Sequence, residues 1–304
     1  MITDLTPSQQ GAVRIRALVA LTMVCFFWGT TWIASEEGVR HMPALQLAGI
    51  RQSVGGLLYV IYFLAKGSRL PRGREWWPVL ILSLLNFVLT NGLTTLGLKY
   101  ISPGLGAIIS AIFPLWIVVI GLFRDSTLPP IKALIGLLLG FAGICIIFYD
   151  HLNDLLDADF RLGIILSVIA SWTWAFGTLY TKSQATKFNP YFSLGLQMLI
   201  SGIIMGGISV FSGTSIPLAD VAWQGWASIS YLVVFGSVIS FVAYLYALQH
   251  LPTEQASIYA YMNPVVAVLS GFLVYGDPLT IYLAAGGIVI LYGVYLVNQV
   301  YRRM

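Results

Sequence analysis

Two segments of the chain combine large aromatic rings with hydroxyl groups at helical spacing. In FFWGTTWIASEE, residues 26–37, Trp28, Trp32 and Ser35 follow one another at i, i+4 and i+7, which places them on one face of a helix. The segment WTWAFGTLYTKS at 172–183 repeats this arrangement. Aromatic rings interspersed with hydroxyls bind aromatic or amphipathic small molecules by stacking and apolar contact. We therefore expect both faces to line a cavity.

The same rings have a second interpretation, because Trp and Tyr also form belts at the two surfaces of a membrane. Trp28 lies near the middle of its apolar segment, which favours the cavity, whereas Trp32 lies nearer one end and leaves both interpretations open. In the second segment, Trp172 and Trp174 add two more rings, and we assign them to the cavity as well.

Amide, hydroxyl and phenol groups recur inside other apolar segments. Because such groups are expensive in lipid, we expect them to face the interior and contact a solute. An offset of 150 residues places Ser240 on Thr90 and Tyr244 on Thr94, so two helices would line one cavity from equivalent positions. The predicted contacts of this kind are Asn86, Thr90, Asn91, Ser110, Ser240, Tyr244, Tyr259 and Asn263.

One basic residue, Arg51, lies well inside an apolar segment. Its guanidinium could bind a carboxylate through two parallel hydrogen bonds. Its position, about a third of the way into the segment, also permits the long side chain to reach the membrane surface. Both interpretations stay open, and Arg51 joins the predicted substrate contacts.

Two prolines, Pro114 and Pro264, interrupt apolar segments at equivalent positions 150 residues apart. Proline removes a backbone donor and frees the carbonyl four residues earlier. Each is therefore a predicted hinge or binding surface, with a kink that only serves packing as the alternative.

The remaining chemistry of the sequence argues against catalysis. No Asp or Glu lies at the centre of an apolar segment, the three histidines lie between segments, and the two cysteines are isolated. Paired histidines at helical spacing, a nucleophile elbow and a phosphate-binding glycine loop are also missing from the sequence. We expect no catalytic residue, no metal and no cofactor, although a membrane-embedded enzyme and a channel remain rival classes.

These residues must be positioned by helices that cross a membrane. The 304 residues are 58% hydrophobic and 9% charged, with a mean hydropathy of +0.84, whereas about a quarter of a soluble domain is charged. Apolar segments of about 20 residues are long enough to span a bilayer as helices. Ten spans are predicted, at about 17–37, 44–65, 77–98, 104–123, 131–149, 162–181, 191–212, 226–249, 254–274 and 279–300.

Lys and Arg concentrate in the loops on one side of these spans. Loops that carry excess Lys and Arg remain in the cytoplasm, so both termini are predicted to be cytoplasmic, in a multi-pass protein of the inner membrane. The net charge of +4 therefore reflects topology, and no exposed domain clusters basic residues as nucleic-acid binding would require.

The second half of the chain repeats the first. Gly29 and Gly177 match at an offset of 148, Pro43 and Pro190 at 147, and Gly143 and Gly293 at 150. Because each half holds five spans, the second enters the membrane from the opposite side. The predicted fold is an all-α membrane protein of ten helices in two inverted repeats, 1–149 and 162–304, joined by an external linker at 150–161. Secondary transporters share this construction, since exchanging the conformations of the halves alternates access to a central site.

Three stretches resemble the EamA type of the drug/metabolite transporter superfamily: FFWGTTW, LKYISPGLGAIISAIFPLWIVVIG and LQHLPTEQASIYAYMNPVVAVLSGFLVYGDPLT. The closest similarity is to bacterial exporters of aromatic amino acids. The resemblance implies alternating access around a cavity made by spans one, three, four, six, eight and nine. It implies aromatic or apolar amino acids as substrates, with other metabolites, sugars, nucleosides and cationic drugs as alternatives. The family often has an acid before the last helix of each half, which Asp277 matches and Asp125, displaced by two positions, does not.

Spans five and ten carry glycines at matching positions, with few polar side chains. We interpret these two helices as scaffold that packs closely, against each other or against a second protomer. A homodimer through these helices is therefore possible from the sequence, alongside the bilayer and a small-molecule substrate as the expected partners.

Overall fold

The computed structural model describes residues 7–113, 115–116, 119–120, 130–150, 153–184, 189–251 and 259–301. Within these ranges all regular structure is helical. The helices are α1 (Pro7–His41), α2 (Ala44–Ala65), α3 (Trp76–Leu82, continued by Ser83–Asn91 and Gly92–Gly97), α4 (Pro103–Ser110), α5 (Ile131–Asp150), α6 (Ala158–Gln184), α7 (Pro190–Phe211), α8 (Trp223–Tyr231, continued by Leu232–Ile239 and Ser240–His250), α9 (Tyr259–Tyr275) and α10 (Ile281–Tyr301).

Among the described residues, six helices are long and apolar enough to cross a membrane: Gly11–His41, Ala44–Ala65, Gly73–Gly97, Ala158–Thr181, Pro190–Phe211 and Trp223–Ala247. Shorter apolar helices occupy Ile131–Ile147, Met262–Tyr275 and Ile281–Leu296. An all-helical, multi-pass membrane protein is therefore confirmed. The count of ten spans and the inversion of the halves remain predictions.

Helix boundaries differ from the predicted spans mainly at α1 and α4. The polar residues before the first predicted span are helical from Pro7 onward, so α1 is a single helix of 35 residues. Helix α4 starts at Pro103 because the Ser102 side chain accepts a hydrogen bond from the backbone nitrogen of Leu105, at 3.3 Å. The predicted hinge residue Pro114 lies outside the described residues, whereas Pro264 lies inside α9.

Both α3 and α8 contain a π-helical segment in the middle, at Ser83–Asn91 and at Leu232–Ile239. In both helices a hydroxyl side chain donates to a carbonyl five residues earlier. Thr90 Oγ1 donates to the Leu85 carbonyl at 2.7 Å, and Ser240 Oγ donates to the Phe235 carbonyl. Because π segments are rare and cluster at functional sites, this matching pair marks the centre of both helices as specialised.

Helices α5 and α10 pack against each other through glycines. A Cβ on Gly143 would lie 2.7 Å from the Gly286 carbonyl oxygen, and a Cβ on Gly293 would lie 2.5 Å from that of Gly136. The two backbones therefore meet as closely as glycine allows. These glycines already have partners within the chain, so the predicted homodimer would have to use another face of these helices.

The other helices form two similar sets of contacts. Helix α1 packs against α8 and α9, while α6 packs against α3 and α4, and α2 lies along α7. Gly29 allows α1 to approach Val266 of α9, and Gly177 allows α6 to approach Asn86 of α3. A space remains between α1 and α6, in the centre of the molecule.

Candidate functional site

A cavity of about 190 Å³ lies in this central space. Its wall takes residues from α1, α3, α6, α8 and α9, from α4 and the residues that follow it, and Arg51 from α2. The cavity thus lies among the six helices to which the sequence assigned it, with α2 as an addition. The predicted contacts on its wall are Trp28, Trp32, Arg51, Thr90, Asn91, Ser110, Trp174, Tyr259 and Asn263.

Aromatic rings close one end of the cavity. The Trp28 ring lies 5.1–5.2 Å from the rings of Phe241, Tyr244 and Tyr259, measured between centroids, and contacts two of them edge to face. Its indole nitrogen donates to the Gly236 carbonyl at 3.2 Å. These contacts hold Trp28 in one orientation, so it offers a preformed apolar surface to a solute.

Trp32 lies further along the same face of α1. Its six-membered ring packs on Gly106 of α4, where a Cβ would come within 2.9 Å of Cζ3. Only a glycine at 106 leaves room for the indole there. Trp28, for which the sequence favoured the cavity, and Trp32, which it left open between cavity and belt, therefore both line the cavity.

Hydroxyl and amide groups of α3 form the polar wall. Besides the Leu85 carbonyl, Thr90 Oγ1 contacts Thr173 Oγ1 at 3.0 Å, which ties α3 to α6. The Asn91 amide nitrogen donates to the Asn86 carbonyl at 2.9 Å. These bonds fix the side chains while leaving the Asn91 side-chain oxygen without a described hydrogen bond. A solute can therefore use it as an acceptor.

Asn263 occupies the turn before Pro264. In the amide orientation that satisfies its neighbours, its nitrogen donates to the carbonyls of Cys25 and Tyr259, each at 3.1 Å. Asn263 thereby joins α9 to α1. It also lies on the cavity wall.

Arg51 reaches the cavity from α2 and is only 9% exposed. Its Nε donates to Ser237 Oγ at 3.3 Å, and its Nη2 packs against Gly236, where a Cβ would lie 2.9 Å away. Among the described residues, none of the ion pairs involves Arg51. The guanidinium is therefore a buried positive charge on the cavity wall, and no carboxylate of the described residues pairs with it.

Four predicted contacts lie off the cavity wall. Tyr244 packs behind Trp28 and Tyr259, and Ser240 is fully buried with its hydroxyl bonded to the π segment. Asn86 packs against Gly177, and its side-chain oxygen is buried without a hydrogen-bond partner in the described residues. Trp172 is 43% exposed and lines a second space.

That second space is an apolar groove of about 630 Å³ between α6 and the helical residues that follow α4. Trp116 lines the groove and donates from its indole nitrogen to Ser171 Oγ, at 2.9 Å. Ser171 itself lines the central cavity, so this hydrogen bond lies between the two spaces. Sequence reasoning missed Ser171, although its spacing of three residues from Trp174 was a usable signal.

A cluster of charged groups joins the C-terminal ends of α1 and α9. Arg40 pairs with Glu36 and lies over the Tyr275 ring, 4.0 Å from its centroid, while the Tyr275 hydroxyl donates to Glu37 at 2.9 Å. Asp277, in the turn after α9, has one carboxylate oxygen buried without a described partner. Burial raises the pKa of Asp277, because desolvation disfavours its charged form.

Comparison with known proteins agrees with this architecture. A model of the EamA-like transporter family matches residues 15–149 and 161–299. The chain belongs to this family. The chain is therefore a membrane transporter, a class of protein distinct from enzymes.

Relatives of this EamA-like transporter cover nearly its whole length. It is 32% identical over 294 residues to the uncharacterized inner membrane transporter YedA of Escherichia coli, spanning 94% of this chain and 93% of YedA. It is 29% identical to the uncharacterized transporter YvbV of Bacillus subtilis, over 94% and 92% of the two chains. A solved crystal structure superposes with a TM-score of 0.64 and 15% identity, over 97% of this chain and 100% of the other, which shows the fold alone.

Proposed function

We propose that this protein exports small metabolites, aromatic and apolar amino acids foremost, across the inner membrane by alternating access. The observation that carries the proposal is a central cavity whose wall combines fixed aromatic rings with one buried guanidinium. Such a wall binds a molecule with an apolar ring at one end and a carboxylate at the other. The wall thus has a partner for the ring and a partner for the carboxylate of an aromatic amino acid.

The size of the cavity supports a solute with one ring. An engineered apolar cavity of about 150 Å³ holds benzene, and the space here is about 190 Å³. A single ring with a short polar group fills such a space, whereas a drug-sized molecule needs a pocket of about 300 Å³ or more. This favours amino-acid-sized solutes over large drugs in the state described.

The contacts between helices support the inverted repeat. Exchanging α1 with α6, α3 with α8 and α4 with α9 turns the contacts of α1 into those of α6. Exchanging α5 with α10 likewise turns the close contact of Gly143 with Gly286 into that of Gly293 with Gly136. Two halves that pack by the same rules can adopt each other's conformation, which is what alternating access requires.

In the predicted orientation the described state is closed on the cytoplasmic side. There the N-terminal half of α1, from Ala17 to Cys25, packs against Ala243 and Ala247 of α8. The cavity lies instead beside the segment from Trp28 to Ser35, toward the predicted external end of α1. The aromatic cluster at Trp28 would then form the inner closure, which must open to admit a cytoplasmic solute.

Facilitated export is the mechanism that the charges favour. Proton-coupled carriers commonly relay protons through carboxylates within their spans, and no acidic residue lines the cavity among the described residues. Proton coupling through Glu254, at the predicted cytoplasmic start of span nine, is a poorer alternative. This residue lies outside the described ranges.

The test is uptake into liposomes that contain only the purified protein. Radiolabelled phenylalanine, tryptophan and threonine are offered with and without an imposed pH gradient, and counterflow against unlabelled solute distinguishes a carrier from a channel. Saturable exchange that ignores the gradient is expected. Accumulation driven by the gradient would refute the facilitated mechanism, and no uptake of any amino acid would refute the substrate class.

A further inference from the structure

The charge on the cavity wall is unbalanced. Arg51 is nine-tenths buried, and its single described side-chain hydrogen bond goes to the neutral Ser237. Two neighbouring helices supply the groups around it: α1 supplies Thr31, and α8 supplies Gly236 and Ser237. None of these groups is acidic. A guanidinium has five N–H donors in a fixed fork, so most of its hydrogen-bonding capacity is unused by the described protein.

The nearest acids along α1 are committed elsewhere. Glu36 pairs with Arg40, and Glu37 contacts His41 and the Tyr275 hydroxyl, all at the C-terminal end of the helix. The other lining groups with polar atoms are hydroxyls, amides and indoles. A buried cation without a partner is costly, and that cost is relieved when an anion enters the cavity.

Building on the proposed transport function, we propose that the cavity binds solutes with a net charge of −1, a monocarboxylate on an apolar or aromatic body, more tightly than the zwitterionic amino acids that it also carries. Arg51 binds the carboxylate, and the Trp28 and Trp32 rings hold the apolar part. The ammonium of a zwitterion finds only neutral acceptors and ring faces on this wall, so its desolvation is poorly compensated. The unbalanced Arg51 disfavours a cationic solute most of all.

This selectivity has a consequence for energetics. A carrier that moves a monoanion and no counter-ion transfers one negative charge in each cycle. A membrane potential that is negative inside then drives the anion outward. Export of this kind needs no intramembrane carboxylate and no proton.

The experiment compares three probes that share one phenyl ring and differ in charge. They are phenylpyruvate at −1, phenylalanine at zero and phenethylamine at +1, near neutral pH. Binding to the purified protein is measured by tryptophan fluorescence and calorimetry, and counterflow in liposomes is measured with and without a potassium diffusion potential. We expect phenylpyruvate to bind at least about tenfold more tightly than phenylalanine, because one buried ammonium without a good acceptor lowers the affinity by about that factor. Its flux should follow the potential.

Substitutions of Arg51 test whether this residue determines the selectivity. Arg51→Gln should reduce phenylpyruvate binding by about tenfold or more and remove its advantage over phenylalanine. Arg51→Lys, which keeps the charge but not the two-pronged geometry, should fall between the two. Arg69→Gln is the matched control, because Arg69 lies in the loop after α2 and pairs with Glu75. This control should behave as wild type.

Different outcomes overturn different statements. Equal or tighter binding of phenylalanine, or a flux of phenylpyruvate that ignores the potential, would overturn the anion selectivity while leaving amino-acid export in place. Selectivity retained in Arg51→Gln would overturn the role of Arg51. No binding or flux of any probe would overturn the proposed function together with this inference. If Arg51→Gln does not fold, the wild-type ranking of the three probes and the response to potential decide.

Discussion

Two adjacent glycines of α10 should respond very differently to the same substitution. A Cβ on Gly286 would lie 2.6 Å from the Gly143 carbonyl oxygen and 3.1 Å from the Ile147 backbone nitrogen. A Cβ on Gly287 would meet only a methyl of Ile108 at 3.6 Å, an ordinary contact. Gly286→Ala therefore forces apart two backbones that cannot yield locally, whereas Gly287→Ala fits the existing space.

The size of the effect follows from this geometry. Restoring ordinary contact at 3.4 Å moves α10 away from α5 over the whole crossing, and overpacking of this kind costs about 1–3 kcal/mol. Gly287→Ala should be neutral or slightly stabilising, because Ala favours helix over Gly by up to about 1 kcal/mol. Thermal unfolding of both variants in one detergent, at one scan rate, measures the difference.

Transport provides the second readout of this pair. Neither glycine lines the cavity, so the rate per folded molecule should remain close to wild type in both variants. If Gly286→Ala were as stable as Gly287→Ala, the close crossing of α5 and α10 would be wrong. If Gly286→Ala folded stably but lost transport, these helices would take part in the conformational change, contrary to their interpretation as scaffold.

Four further substitutions test the site and its surroundings. Trp28→Ala and Asn263→Ala should each lower transport without lowering membrane yield, measured by counterflow; normal transport in both would remove them from the site. Ser240→Ala should cost about 1 kcal/mol of stability by removing the buried hydrogen bond to the Phe235 carbonyl. Solute affinity should not change, since Ser240 is off the cavity wall; an altered affinity would place it in the site. Asp277→Asn should raise the melting temperature near pH 7 but not at low pH. Because burial raises the pKa of Asp277, its charged form destabilises the native state above that raised pKa, and the effect is absent below the ordinary pKa of the group. A difference in melting temperature that does not change with pH would contradict the burial argument.

Much of the site was predictable from one sequence because the halves repeat. The offset of 150 paired Thr90 with Ser240, and the structure gives both residues the same bond, to Leu85 and Phe235, themselves 150 apart. The pairing did not predict equal exposure, since Thr90 lines the cavity and Ser240 is buried. A repeat thus indicates equivalent backbone positions more reliably than equivalent contacts with a solute.

Two predicted contacts, Trp172 and Asn86, lie off the cavity wall for geometric reasons. Trp172 and Trp174 are two residues apart, about 200° around a helix, so they cannot share one face; Trp174 lines the cavity and Trp172 the outer groove. Asn86 and Thr90 share a face in a regular helix, but they lie in a π segment, whose wider turn changes that relation. Periodicity alone contains no signal for such a segment.

The repeat and the binding chemistry play separate parts in this protein. At the offset of 147 that aligns α2 with α7, the position of Arg51 corresponds to Met198, which is fully buried and packs with Tyr59 and Phe87. One half therefore carries a cation where the other carries an apolar side chain. In the proposed mechanism, equivalent packing of the halves would let them exchange conformations, whereas the single guanidinium would give the cavity a positive charge from one half alone. On this argument an arginine restricted to one half is enough to give the cavity a preference for anions, with no second charged group needed in the repeat.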